Sequence, residues 1–203
     1  MLDVKSLTTD LIRADQLRVL AGERVLVQGP SGSGKTHFLR ALADLVPWQG
    51  HLVLDQQSSL DVSAPQWRQQ VMLVAADSHW WHHRVSEHFH SPETAPLSHI
   101  GLSEAILSRD PQQLSSGEKQ RLALLRALDR SPKVLLLDEP CANLDSDTTL
   151  LVEALLTDWC RHHQGHLIMT SHDPAQRERL ADRHWRILDG EVTETGATTR
   201  EWT

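Results

Sequence analysis

Apolar residues gather into short continuous runs separated by polar turns, and this pattern predicts an α/β protein. Val25-Leu26-Val27, Val71 to Ala75, Val134 to Leu137 and Leu167 to Met169 are such runs, as expected of parallel strands covered on both faces. Leu2 to Leu7, and Leu17 to Leu20 before the Ala21-Gly22 turn, predict strands leading into a central strand at Val25 to Gln28. Leu52-Val53-Leu54 follows the Pro47 to Gly50 turn and predicts another strand. Trp185 to Leu188, Asp189-Gly190 and Glu191-Val192 predict a closing hairpin. Helices are expected over Lys35 to Leu45 and Lys119 to Leu128, and Asp173-Pro174 offers an N-cap and a first-turn proline for a third. From Asp77 to about Pro111 the pattern loosens, with Pro92, Pro96 and several histidines, and an inserted, mostly helical subdomain is expected there. The resulting division is one domain, 1–203. Residues 1–76 and 129–203 form a core with an antiparallel β part at its N-terminal side, and 77–128 form the insertion.

The first predicted parallel strand runs into Gly29-Pro30-Ser31-Gly32-Ser33-Gly34-Lys35-Thr36 and then into a helix. That is the phosphate-binding P-loop in its required strand-to-helix context. Glycines let consecutive backbone N–H groups turn inward on a polyphosphate, and the helix N-terminus adds a positive end. Lys35 brings a point charge to the β and γ phosphates, and Thr36 is the expected Mg²⁺ ligand. The order of elements is that of a P-loop NTPase core.

Two further segments gain meaning beside it. Leu135-Leu136-Leu137 ends in Asp138-Glu139. A carboxylate at the C-terminal edge of a parallel strand next to the P-loop can order Mg²⁺ and its waters. Asp138 takes that role, and Glu139 is the candidate for orienting or deprotonating an attacking water. Leu114-Ser115-Ser116-Gly117-Glu118 precedes a helix, with Ser115 and Glu118 at capping-box spacing.

Composition narrows the setting. The 203 residues carry a formal charge of −7 with no basic run, which argues against a nucleic-acid surface. No stretch approaches the roughly 18 apolar residues of a membrane span, and the N-terminal residues lack a signal-peptide core, so a cytoplasmic protein is expected. Cys141 and Cys160 suit neither a disulfide framework nor a metal pair and are expected to be reduced thiols. Aromatic usage is unusual, with seven Trp, two Phe and no Tyr.

In these motifs the chain resembles the ATPase subunits of ABC transporters, over nearly its whole length. Gly29 to Thr36 matches the family's Walker A and Leu114 to Glu118 its signature. Val134 to Glu139 matches Walker B, Ala142 to Asp145 the D-loop and His172 the switch histidine. The resemblance implies ATP and Mg²⁺ as ligands and a head-to-tail homodimer. Each ATP would lie between one subunit's P-loop and the other's signature helix, with Ser115 and Gly117 completing the phosphate site. It also implies His172 at the γ-phosphate, Asp145 communicating across the dimer, and a separate transmembrane subunit above a cassette on the cytoplasmic face of the inner membrane. Around Arg68 to Val71 and Glu118 to Arg121 the chain is also similar to metal (iron) exporter subunits.

Departures from the family pattern accompany the matches. Ala76 stands where most members have a Gln that touches Mg²⁺ or water, leaving Asp77 or another side chain to substitute, or the contact absent. Leu11 stands where an aromatic normally stacks on adenine, which predicts weaker and less base-selective nucleotide binding. Ser116 and Glu118 replace a signature Gly and Gln, and the segment from Ala76 to Leu114 is short. His79-Trp80-Trp81-His82-His83, with His88 and His90, is read first as a docking loop for a partner helix, with ordinary packing or a metal site as alternatives. Three functions are compatible with such a chain: an ATP-hydrolysing transport motor, a nucleotide-dependent regulatory or assembly module with little ATPase activity, and a soluble ATPase acting on DNA or ribosomes. The motifs favour the motor.

Overall fold

A computed structural model of the chain describes residues 1–197; the last six residues of the expected core lie outside them. The strands are β1 (Leu2–Thr8), β2 (Arg13–Val19), β3 (Arg24–Gln28), β4 (Gln49–Leu54), β5 (Gln57–Ser58), β6 (Val71–Val74), β7 (Val134–Asp138), β8 (His166–Thr170), β9 (Arg183–Leu188) and β10 (Glu191–Ala197). The α-helices are α1 (Lys35–Leu42), α2 (Ala64–Gln70), α3 (Ser116–Leu128), α4 (Ser146–His163) and α5 (Pro174–Leu180). One ten-stranded sheet runs β5-β4-β1-β2-β10-β9-β3-β8-β7-β6. Its β9-β3-β8-β7-β6 half is parallel, and β4-β1-β2 is antiparallel. The expected closing hairpin is the antiparallel pair β9–β10, whose outer strand also joins β2.

The continuous apolar runs do what their pattern predicts. Alternate residues of one strand enter different cores, because successive side chains point to opposite faces. Val25, Val27, Leu136 and Ile168 join the core under α1 with Phe38, Trp67 and Trp185. Leu26, Leu135, Leu137, Leu167 and Met169 join the core under α3 and α4. Trp67 and Trp185 are fully buried, and an indole removes roughly 200 Å² from water, worth about 5 kcal/mol at 25 cal/mol per Å². Trp67 also donates its Nε1–H to the Leu42 carbonyl, 2.9 Å away, tying α2 to the end of α1.

The segment between β6 and α3 differs from expectation. It is built of single 3₁₀ turns, at Val85–His88, Pro92–Thr94, Leu97–Ile100, Glu104–Ser108 and Pro111–Gln113, with α3 as its α-helix. Pro92, Pro96 and Pro111 each remove an N–H and push the preceding residue out of the helical region, so no α-helix propagates. Val85, Phe89, Leu97, Ile100 and Ile106 are nevertheless buried against α3 and α4. Side chains satisfy much of the backbone. Asp129 accepts the N–H groups of His90 and Ser91, Arg121 Nη1 donates to the Ile100 carbonyl at 2.7 Å, and Arg126 Nη1 to that of His79 at 2.9 Å.

Candidate active site

The C-terminal ends of β3, β7 and β8 deliver the P-loop, Asp138-Glu139 and Thr170-Ser171-His172 to one edge of the sheet. A cleft of about 370 Å³ lies there, lined by Ser31, Gly32, Gly34, Lys35, Thr36, His37, Arg40, Asp138, Glu139 and His172. Gly34 shows why the loop needs glycine: its φ is 96°, and a Cβ there would stand 2.7 Å from the buried Ile12 side chain. Lys35 is 8% exposed and donates to the Gly29 and Pro30 carbonyls at 2.9 and 3.0 Å, bracing the loop.

Thr36 Oγ1 donates to Asp138 Oδ2 at 2.7 Å. Two hard oxygen donors at the rim of a phosphate loop fit Mg²⁺, which keeps most of its coordination for water and phosphate oxygens. Thr170, fully buried, donates its hydroxyl to Asp138 Oδ1 at 2.9 Å and accepts the Glu139 N–H at 3.0 Å. Gln120 of α3 donates its amide to the Glu139 carbonyl at 2.6 Å. Glu139 is thus gripped on both sides of its peptide, and it is strained there, with φ 52° in the left-handed region. Such backbone costs about 1–3 kcal/mol and persists where surroundings over-determine it. The result aims the carboxylate into the cleft, where Glu139 Oε1 lies 2.6 Å from His172 Nε2.

The structure therefore gathers Lys35, Thr36, Asp138, Glu139 and His172 around one cleft, as the sequence suggests. Ser115 and Gly117 do not line it. Ser115 caps α3, accepting the Glu118 N–H at 3.2 Å while Glu118 Oε2 accepts the Ser115 N–H at 2.8 Å. A Cβ on Gly117 would meet the Asn143 carbonyl at 3.0 Å, so glycine lets α3 abut the Ala142 to Asp145 turn. Asp145 caps α4 through the Thr148 N–H at 2.8 Å. Neither Ala76 nor Asp77 lines the cleft, so neither supplies the missing Gln contact. Sequence reasoning missed Thr170, Gln120, His37 and Arg40. Arg40 stood one helical turn after Thr36, on the same face, whereas Thr170 and Gln120 carry no motif of their own.

A second cavity of about 340 Å³ continues from the loop, sharing Ser31, Gly32 and Gly34 and adding Leu11, Ile187, Leu188, Asp189 and Gly190. Among the described residues no aromatic ring lines it.

The histidine-tryptophan loop is organised from within. The His88 ring, 3% exposed, accepts the N–H groups of Trp81 and His82 at its Nε2, both at 3.0 Å, and lies 3.0 Å from the Arg84 carbonyl through Nδ1. That pattern requires neutral imidazole protonated at Nδ1. Burial, the largest cause, holds its pKa below the usual histidine value. Both nitrogens are committed, so His88 is no metal ligand, and among the described residues no group of three or more His, Cys, Asp or Glu is placed to hold a metal. Trp81 is 67% exposed, and the Arg126 guanidinium lies 4.5 Å and 5.2 Å from the ring centres of Trp80 and Trp81.

Fold and cleft together define a P-loop nucleoside triphosphatase. The ABC transporter family profile matches residues 12–142. The thiamine import ATP-binding protein of Yersinia pestis is 35% identical over 196 residues, covering 90% of this chain and 83% of that protein. An aliphatic sulfonates import ATP-binding protein of Pseudomonas syringae pv. tomato is 36% identical over 185 residues, covering 88% of this chain and 65% of that protein. Among solved structures, an ATP-binding subunit of an ABC transporter aligns with TM-score 0.83 at 20% identity, over 97% of this chain and 90% of its own. A dimeric post-hydrolysis ATP-binding cassette holding ADP and Pi aligns with TM-score 0.74 at 23% identity, over 98% of this chain and all of its own. The chain belongs to the ABC transporter family, as an ATP-binding and ATP-hydrolysing subunit. No described helix is long and apolar enough to cross a membrane.

Proposed function

We propose that two copies close head to tail around two ATP molecules and drive a separate membrane-spanning subunit from the cytoplasmic face of the membrane. The observation that carries this reading is the division of the site: the cleft contains the P-loop, Asp138, Glu139 and His172, while Ser115 and Gly117 lie outside it. A signature helix N-terminus is an anion site, and a second copy would bring it the phosphate. Cooperation with separate membrane components is supported by the relatives, named as import ATP-binding proteins. These names favour import, where the local likeness around Arg68 to Val71 suggested export. The Trp80-Trp81 loop is the proposed docking point for the membrane subunit.

The geometry of the cleft supports the following assignment of roles. Lys35 and the loop N–H groups bind the β and γ phosphates. Thr36 and Asp138 would hold Mg²⁺, which, when bound, neutralises charge building on the transferring phosphoryl group. Glu139 orients the attacking water and takes its proton, and His172, 2.6 Å from Glu139, steadies that carboxylate and reaches the γ-phosphate. Ser115 and the Gly117 N–H of the second copy stabilise the same phosphate from the far side.

The test uses Glu139→Gln. Wild type should release phosphate from ATP. The variant should bind ATP, lose roughly 10²–10⁴-fold in turnover and accumulate as a dimer holding two nucleotides, seen by sedimentation. A variant that hydrolyses at the wild-type rate removes Glu139 from its role, and one that stays monomeric with ATP bound overturns the sandwich. Absence of phosphate release by wild type, alone and with its membrane subunit, favours a regulatory module instead.

A further inference from the structure

The signature helix carries a carboxylate where it should attract an anion. Glu118, in the first turn of α3, is needed for the capping box, since its Oε2 accepts the Ser115 N–H at 2.8 Å. Its charge suits the positive helix end but opposes a triphosphate arriving at Ser115 and Gly117. Arg109, just after the Glu104–Ser108 turn, meets it: Nη1 lies 3.2 Å from Glu118 Oε1, while Nη2 donates to the Gln113 carbonyl at 2.9 Å. The nearby guanidinium of Arg121 is held elsewhere, by the Gly117, Ile100 and Gly101 carbonyls. Among the described residues, Arg109 is the ion-pair partner recorded for Glu118.

We infer that Arg109 is a positioning residue that cancels the Glu118 charge, so that the capping box can be kept at a helix end that must accept the γ-phosphate of a second copy. The inference rests on the sandwich reading above. In the isolated subunit the pair is partly exposed, at 40% and 23% for the two side chains, and is screened by water. Closure around ATP excludes that water, and an uncompensated carboxylate near a triphosphate then repels it far more strongly.

A charge role and a bracing role make opposite forecasts for a double substitution. In the Glu139→Gln background, Arg109→Gln should raise the ATP concentration for half-maximal dimer formation roughly fivefold to tenfold. Adding Glu118→Gln removes the charge but keeps a side-chain oxygen for the Ser115 N–H, and should restore dimerisation to near the parent value. If Arg109 merely braces the turn against Gln113, the double variant stays as impaired as the single one and the inference falls. Unchanged dimerisation in Arg109→Gln overturns it too. Sedimentation of the parent beside the variants separates the two levels: a parent that never dimerises with ATP sinks the sandwich and this inference together, whereas a dimerising parent leaves the sandwich standing whatever the variants do. Thermal melts of all variants confirm that folded protein is compared.

Discussion

The nucleotide cleft and the segment from Asp77 to Gln113 are built by different means. The cleft sits on parallel strands whose every residue in β7 and β8 is buried, and its loops leave the sheet at points fixed by backbone pairing. The segment has no sheet or long helix of its own. It rests on a few apolar plugs and on long polar side chains, His88, Arg121, Arg126 and Asp129, that reach in to satisfy loop backbone. A site that must hold atoms to fractions of an ångström is placed on rigid elements, whereas the 77–113 segment is carried on side-chain struts, as suits its proposed role as a docking surface. Substitutions in the two regions should therefore fail differently: the first loses chemistry while folded, the second loses local order while chemistry persists.

Thr170→Val offers the largest test of that contrast within this pair of regions. The substitution is nearly isosteric but strips Asp138 Oδ1 of its donor and the Glu139 N–H of its acceptor. Leaving buried polar groups unpaired costs roughly 1–3 kcal/mol each, and here the strain at Glu139 is released as well. Turnover should fall about tenfold to hundredfold with ATP binding largely kept, and Thr170→Ser should retain activity. Steady-state kinetics beside nucleotide titration checks this; a Val variant with full turnover would show that Thr170 grips nothing of consequence.

His88→Phe probes the strutted region. It deletes the acceptor for two loop N–H groups while filling the space, so it should cost about 1–2 kcal/mol of stability at neutral pH and leave intrinsic phosphate release near wild type. The pH dependence has a definite sign. Burial lowers the His88 pKa from 6.5, so the unfolded chain takes up the proton first as pH falls. The stability His88 contributes is present above about pH 6.5 and is lost as the solution is acidified towards the folded-state value. Urea midpoints at pH 7.5 and pH 5.5 should show the gap between wild type and variant narrowing at the lower pH. Because His166 and His184 are also depressed by burial, the difference between proteins is the informative quantity, since their contribution is common to both.

The same contrast explains what could be read from residues alone. Buried parallel strands announce themselves as apolar runs, and all four were placed within a residue or two, as were the capping box at Ser115 and the N-cap at Asp173. The P-loop, Asp138, Glu139 and His172 were legible because each sits at the end of such a run. The 3₁₀ turns were not, because their contacts pair side chains with backbone far away in sequence, such as Arg121 with Ile100, and leave no periodicity. Thr170 and Gln120 escaped for a related reason: one reads as the last residue of a strand and the other as a polar residue inside a helix, and their roles exist only where the two elements meet. Helix α2 was overlooked although Ser63, Pro65 and Gln66 carried its capping box and first-turn proline.

The smallest expected effect concerns the two cavities at the loop, one lined by charged and polar groups and the other, among the described residues, by Leu11, Ile187, Leu188, Asp189 and loop backbone. Leu11 and Leu188, 58% and 48% exposed, line the cavity beyond the loop where a ring would serve as a platform. Aliphatic side chains exclude water from a base but stack weakly and read none of its edges. Wild type should therefore bind ATP and GTP with affinities within a few-fold of each other, almost all of the binding coming from phosphate contacts. Leu11→Tyr supplies an aromatic platform, and base–aromatic stacking is worth about 1–3 kcal/mol. At so exposed a position the low end applies, giving roughly fivefold tighter binding of both nucleotides. Competition of ATP and GTP against one fluorescent analogue, in wild type and variant, measures both quantities. A strong ATP preference in wild type would mean that some group reads the base despite the aliphatic lining, and an inert Leu11→Tyr would place the base elsewhere than beside Leu11.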